Sequence, residues 1–211
     1  MHGIIKTNGI NNKYTTKNRQ KNDFYSTDPQ SVTQLLKHET FQQNILEPMV
    51  GTGAIADVLK KEGYNVKCMD LIDYGYPNTI VTDFFQYDEI FEGDIITNPP
   101  YKDSHKYVLQ AIHHCNGRVA MLLKIQFLET INRYEEVFKK HKPETIYVFV
   151  KRVACYKDGD YEKYKDNGSA ICFCWIIWNT KKQVKDTIFR WIPNHIESPE
   201  EHKTVQTKLQ F

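Results

Sequence analysis

Apolar positions in this chain fall into short continuous runs separated by amphipathic stretches. Ile45-Leu46, Val66 to Met69, Thr79 to Val81, Ile95-Ile96, Val119 to Leu123 and Ile146 to Val150 read as short strands. Ala170 to Trp178 is a longer apolar run, and Ile188 to Ile192 a last short one. Between them lie stretches of helical spacing. Asp28-Pro29 opens the first, with Asp28 as N-cap, Pro29 at the first helical position and Val32, Leu35 and Leu36 as its stripe. Ala54 to Lys61 turns Ile55, Val58 and Leu59 inward and stops at Gly63. Ser104 to Cys115 places Tyr107, Val108 and Ile112 on one side, and Leu128 to Lys140 repeats Ile131, Tyr134, Val137 and Phe138. Strand–helix alternation predicts an α/β fold with a mostly parallel sheet and helices on both faces. The late strands, separated by loops, predict an antiparallel end.

Composition narrows this picture. A chain of 211 residues suits one α/β domain with a full core. A net charge of +2 neither demands nor excludes nucleic acid, but its distribution is uneven. Residues 1–22 carry Lys6, Lys13, Lys17, Arg19 and Lys21 with no acidic residue, a flexible basic arm that either follows phosphates or keeps a terminus soluble. The folded domain is expected over residues 23–193, with a polar tail at 194–211. Residues 152–168 form the main irregular insertion, where tyrosines alternate with charges of both signs; it is either a solvated loop or a surface for bases and phosphates. The five cysteines form no Cys-x-x-Cys pair, so neither zinc nor disulfides are expected, and Cys172 and Cys174 read as small core residues of one strand. No stretch is long enough to cross a bilayer, which places the protein in the cytoplasm.

The chemistry concentrates where strands end. After Asp94-Ile95-Ile96-Thr97 comes Asn98-Pro99-Pro100-Tyr101. Two prolines lack N–H groups and fix φ, so the strand stops in a stiff turn. That turn offers carbonyl acceptors, the Asn98 amide and the Tyr101 ring, a set able to hold a planar molecule that donates from an NH₂ group. Earlier, Glu47-Pro48-Met49-Val50-Gly51-Thr52-Gly53 joins the first apolar strand to its helix. Gly51 and Gly53 allow a tight turn and close approach of a ligand, although tight turns need glycine for steric reasons alone. Ala56 stands where the dinucleotide fingerprint has its third glycine, so spacing does not exclude that class of ligand. Asp70 ends the next strand, about twenty residues on, where an acid can accept both hydroxyls of a ribose. Asp83-Phe84 follows the third strand, where an acid and an aromatic ring can hold an adenine. These signals occupy consecutive strand ends, which form one rim in an open parallel sheet.

In this order the residues resemble the S-adenosylmethionine-dependent amino-methyltransferases. Within them the chain is most similar to small, phage-type DNA adenine-N6 methyltransferases. Asp23-Phe24-Tyr25-Ser26-Thr27-Asp28-Pro29, Leu123 to Glu129, Lys151-Arg152 and Trp175-Ile176-Ile177-Trp178 also look like that group, so the resemblance runs from Asp23 to Pro193. Glu47 stands for the commoner Asp, and Met49 for an aromatic residue. The resemblance implies a Rossmann-like class I methyltransferase domain with S-adenosylmethionine as cofactor. Glu47, Gly51 and Gly53 would hold its methionine part, Asp70 its ribose, Asp83 and Phe84 its adenine, while Tyr25 and Thr27 close over the methionine end. Asn98 and the Pro99 carbonyl would accept from the target amine beside Pro100, with Tyr101 stacked on the target base.

The implied reaction is methyl transfer to N6 of an adenine flipped from double-stranded DNA, in the cytoplasm of a bacterial or prophage-bearing host. No metal is implied, and the protein is expected as a monomer or weak homodimer. RNA adenine methylation is the nearest alternative. Release-factor glutamine methylation is a further one, and that class usually carries an N-terminal helical domain for which residues 1–22 leave no room. A non-catalytic nucleic-acid-binding homologue is the last. With no separate recognition domain in view, a short or relaxed target site is expected.

Overall fold

A computed structural model describes residues 25–153, 155–157 and 171–194. The basic arm, Asp23-Phe24, the tail from 195 and most of the tyrosine-rich insertion lie outside these residues. In chain order the strands are β1 (Tyr25–Thr27), β2 (Asn44–Glu47), β3 (Asn65–Asp70), β4 (Ile80–Val81), β5 (Asp94–Thr97), β6 (Arg118–Lys124), β7 (Thr145–Phe149), β8 (Cys155–Lys157), β9 (Phe173–Asn179) and β10 (Ile188–Ile192). The helices are α1 (Pro29–Leu36), α2 (Ala54–Lys61), α3 (Ser104–His113) and α4 (Ile131–Arg133), the last running on as a π-helical turn over Tyr134–Phe138.

Eight strands form one sheet in the order β10-β7-β9-β6-β5-β2-β3-β4. β9 pairs antiparallel with both neighbours, and every other pairing is parallel. The expected antiparallel end is therefore one strand, third from the edge, which returns between β6 and β7. Buried on both sides, the central strands alternate between two apolar cores. Ile45, Ile96, Ala120, Leu122, Trp175 and Ile177 face α1 and α2. Leu46, Ile95, Val119, Met121, Cys174 and Ile176 face α3 and the π turn.

Local chemistry sets the ends of these elements. The Asp28 carboxylate accepts from Gln30 N–H at 2.9 Å, capping α1 ahead of Pro29. Trp175 on β9 donates its indole N–H to Ser31 O at 3.0 Å, which fastens α1 to the sheet. At the end of the sheet opposite the rim, buried Asp94 accepts from Gln42 N–H (2.6 Å), Gln42 Nε2 (3.1 Å) and Arg118 N–H (2.6 Å). This aligns β5, β6 and the lead-in to β2 at a common level.

Two expectations differ: residues 155–157, inside the expected irregular insertion, form β8 paired with β1, and one expected helix is interrupted. The stretch from Leu128 to Lys140 is not one amphipathic helix: a 3₁₀ turn ends at Leu128, and Thr130 takes φ +90° before α4 begins. Ile131 is 80% exposed and Tyr134 56%, so only Val137 and Phe138 reach the core. The i→i+5 turn shifts the helical phase and carries the first half of the predicted stripe away from the sheet.

The order of strands reverses between β2 and β5. From β2 the chain moves outward to β3 and β4, then returns to β5 and continues the other way to β6. In such sheets a ligand crevice opens at the carboxyl ends flanking that point. The glycine turn follows β2 and the Asn-Pro-Pro-Tyr turn follows β5, so both predicted turns stand at this crevice.

Candidate active site

A cavity of about 560 Å³ opens at the switch point. Its walls include Glu47, Gly51, Asp70, Asp83 and the whole turn from Asn98 to Tyr101. The structure thus gathers these predicted residues around one space, although they span more than fifty positions of sequence.

The floor is the turn after β2. Gly51 takes φ +54°, and its N–H donates to Asp70 Oδ2 at 2.8 Å, while Val50 N–H donates to Met69 O at 2.9 Å. The turn is therefore fastened to the end of β3. Asp70 Oδ1 accepts from Ile72 N–H at 3.1 Å. Burial raises the Asp70 carboxyl above its ordinary value, and the N–H groups of Gly51, Ile72 and Leu71 pull it back down. Glu47 is 1% exposed and buried more completely. Burial pushes its carboxyl well up, Ala56 N–H opposes this, and the nearby Asp70 and Asp57 carboxylates add to the rise. Glu47 Oε2 has no hydrogen-bond partner among the described residues.

Gly53 behaves differently. It takes φ +90° as N-cap of α2, but Tyr76 occupies the space above it and it does not line the cavity. Its neighbour explains the glycine without a ligand.

One side wall follows β4. Asp83 Oδ1 accepts from Phe85 N–H at 3.0 Å, capping a 3₁₀ turn over Phe84–Gln86. Gln110 of α3 holds this turn by donating to Phe84 O at 3.0 Å and Tyr87 O at 2.9 Å. Phe84 is nearly fully buried in the core beneath α3 and meets the cavity from there. The exposed ring is Phe85, which packs on Tyr107 with centroids 4.7 Å apart. Phe85, Tyr107 and Ile72 all line the cavity, and none was singled out from sequence. In the sequence Tyr107 stands with Val108 and Ile112 on one side of its helix, a position that reads as core.

The opposite wall is Asn98 to Tyr101, covered by the two-stranded ribbon of β1 and β8. In this ribbon Tyr25 pairs with Lys157 and Thr27 with Cys155. Tyr25 is placed by its backbone alone, whereas Ser26 and Thr27 line the cavity. Asn98 Nδ2 donates to Thr27 Oγ1 at 3.0 Å and lies 3.7 Å from Cys155 Sγ. Asn98 Oδ1, also buried, has no partner among the described residues. The Tyr101 ring is held by Phe173 (centroids 5.7 Å apart) and by Lys124, whose Nζ stands 4.0 Å from the ring centre. Lys102 and Lys106 add further cations to this rim. Among the described residues no group of three His, Cys, Asp or Glu side chains could hold a metal ion, and no helix is long and apolar enough to cross a membrane.

No family model and no curated protein matches the chain. Solved structures do resemble it. One is a Listeria monocytogenes protein described as a class I S-adenosylmethionine-dependent methyltransferase, with a TM-score of 0.58 and 13% identity over 90% of this chain and 72% of its own. A type I restriction–modification methyltransferase subunit from Streptococcus thermophilus has a TM-score of 0.57 and 14% identity, covering 88% of this chain and 52% of that one. A Vibrio vulnificus protein described as the modification subunit of a type I restriction enzyme has a TM-score of 0.57 and 12% identity, over 89% and 53%. The chain spans about half the length of these two subunits. At such identities the likeness speaks for architecture: the chain has the Rossmann-like fold of the class I methyltransferases.

Proposed function

We propose that the protein transfers a methyl group from S-adenosylmethionine to the N6 amine of an adenine turned out of DNA. The observation that carries this reading is Asn98 Oδ1, a buried acceptor without a partner among the described residues, on a residue that lines the cavity. A buried acceptor left unmade costs about 1–3 kcal/mol, and an N–H donor from a ligand removes that cost.

The residues fit the cofactor. Glu47 Oε2, another buried acceptor without a partner among the described residues, suits an ammonium such as that of its methionine part. Asp70 and Asp83 present carboxylates toward the same space, where ribose hydroxyls and a purine amine find acceptors. Phe85, Tyr107 and Ile72 supply apolar surface for a ring. When bound, S-adenosylmethionine supplies a methyl group already activated by its sulfonium.

What remains for the protein is placement. An aromatic amine is a weak nucleophile, because its lone pair is drawn into the ring. Asn98 Oδ1 and the Pro99 carbonyl accept its two hydrogens, favour a pyramidal nitrogen and stabilise the positive charge that grows there. Pro99 and Pro100 keep the turn stiff, so the two acceptors are preorganised. Tyr101 offers a face to the base, offsetting part of the few kcal/mol spent on unstacking. Orientation of this kind is a large part of catalysis between two bound reactants.

DNA is supported by the restriction–modification subunits among the similar structures and by Lys102, Lys106 and Lys124 on the rim. The test is incubation of unmethylated genomic DNA with tritiated S-adenosylmethionine, followed by digestion to nucleosides and chromatography. N6-methyladenosine in its deoxy form is the expected product. Label appearing instead in RNA, or in a protein amide, overturns the substrate; no binding of the cofactor overturns the reading as a whole.

A further inference from the structure

A carboxamide is nearly symmetrical in shape, and turning it over exchanges acceptor for donor. Only the oxygen-in orientation of Asn98 serves an amine; the reverse sets N–H against N–H. Something must therefore hold the amide nitrogen away from the cavity. We propose that Thr27 and Cys155 are positioning residues that fix the Asn98 carboxamide with its oxygen facing the target amine. This rests on Asn98 being the acceptor for that amine.

The geometry assigns one ribbon to the task. Thr27 and Cys155 are directly paired across β1 and β8, so one cross-strand pair brings a hydroxyl and a thiol to the same amide. Asn98 Nδ2 has two hydrogens, with Thr27 Oγ1 at 3.0 Å and Cys155 Sγ at 3.7 Å to receive them. Thr27 is buried.

A thiol is an unusual choice beside a methyl donor, because a thiolate would capture the methyl. Burial answers this by pushing the Cys155 thiol up to about 12, so it stays protonated and unreactive through the neutral range.

Substitution separates positioning from simple support. Thr27→Val removes its hydroxyl at nearly constant shape and Cys155→Ala removes the sulfur, while Thr27→Ser and Cys155→Ser retain a hydrogen-bonding group. With unmethylated genomic DNA and tritiated S-adenosylmethionine, each removal should lower kcat roughly five- to tenfold, as the loss of one hydrogen bond implies. The dissociation constant for the demethylated cofactor should stay within about twofold of wild type in Cys155→Ala, and both serine variants should recover kcat. Nuclear magnetic resonance gives a readout independent of turnover. The Asn98 side-chain N–H pair should exchange slowly in the wild type and rapidly in the Thr27→Val/Cys155→Ala protein, with folding checked by thermal melting. A double variant with unchanged kcat and unchanged exchange overturns the positioning role. If Asn98→Ala itself keeps full activity, the reading of Asn98 as acceptor fails instead, and slow exchange would then mark a purely structural amide.

Discussion

Tyr76 fills the space that a side chain on Gly53 would need: a Cβ there would fall 1.9 Å from Cε2 and 2.2 Å from Cδ2 of the ring. The ring is fastened by its hydroxyl, which donates to Asp57 Oδ1 at 2.7 Å and accepts from Lys60 Nζ at 3.1 Å. Both partners stand on α2, the helix that Gly53 opens, so turn, ring and helix form one unit. Gly53→Ala must force φ +90° on a residue with a Cβ and displace the ring as well. We expect a loss of about 1–3 kcal/mol in denaturant unfolding. Adding Tyr76→Ala should return the steric part and leave the backbone part. A Gly53→Ala protein as stable as wild type would contradict this packing.

Glu47 sets stability against binding. Its carboxyl is raised by burial and by Asp70 and Asp57, with Ala56 N–H and Lys60 opposing. The folded state therefore holds a proton that the unfolded chain releases near the ordinary glutamate value of 4.5. Stability from this group is complete below 4.5 and declines as pH rises from there through the folded value. Glu47→Gln should remove that decline, so the variant gains on wild type in unfolding experiments at pH 8 relative to pH 5. Its affinity for S-adenosylmethionine should nonetheless fall roughly tenfold or more, because a neutral amide replaces a charged partner for the ammonium. Calorimetry in buffers of different ionisation enthalpy should also detect proton release when wild type binds. A Glu47→Gln protein with full affinity would remove this residue from the cofactor site.

The order of elements was legible because a sheet buried on both faces leaves continuous apolar runs, as in Val119 to Leu123 and Trp175 to Trp178. Asp28-Pro29 marked a helix start for the same local reason that it caps α1. The gathering of Glu47, Asp70, Asp83 and Asn98 was legible too, since residues at the carboxyl ends of parallel strands share a rim. Other parts were not. The place of β9 depends on pairings between strands far apart in sequence, which periodicity does not encode. The outward turn of Ile131 and Tyr134 depends on the Thr130 backbone and the π turn, neither of which changes the spacing of apolar residues.

Phe84 and Phe85 should separate cleanly on truncation. Phe84 is buried among Leu46, Met69 and Val108, so Phe84→Ala should cost about 3–5 kcal/mol of stability. Phe85 is 42% exposed beside Tyr107, and Phe85→Ala should leave stability within about 1 kcal/mol while weakening cofactor binding several-fold. Thermal melting and calorimetry on the two variants decide the matter. The reverse outcome, with Phe85→Ala destabilising and Phe84→Ala weakening only the cofactor, would return the adenine to Phe84.

Asp70 has two tasks that one substitution exposes together. It accepts from Gly51 and Ile72 N–H groups, and it faces the cavity. Asp70→Ala should reduce cofactor affinity roughly 10- to 100-fold, the range expected for losing hydrogen bonds to a charged acceptor. Asp70→Asn keeps one acceptor oxygen but turns N–H groups toward the Gly51 or Ile72 amide, so it should not rescue binding. Rescue by Asn would mean that the charge and the loop contacts are both dispensable.

Asn98 is where binding and turnover part. Asn98 lines the cavity, its oxygen is buried with no partner among the described residues and its nitrogen is engaged with Thr27, so Asn98→Ala deletes an acceptor without touching the glycine turn or Asp70. Affinity for the demethylated cofactor should stay within about twofold, and kcat should fall roughly 10²–10³-fold, as when one preorganised group facing the developing charge is lost. Asn98→Asp restores an acceptor but gives up the N–H groups that reach Thr27 and Cys155. Activity between wild type and Asn98→Ala is therefore expected, with an unchanged cofactor constant. Single-turnover measurements with enzyme in excess over DNA distinguish a loss in the chemical step from slow product release. Loss of cofactor affinity in Asn98→Ala, in parallel with kcat, would move Asn98 out of the target pocket and into the cofactor site.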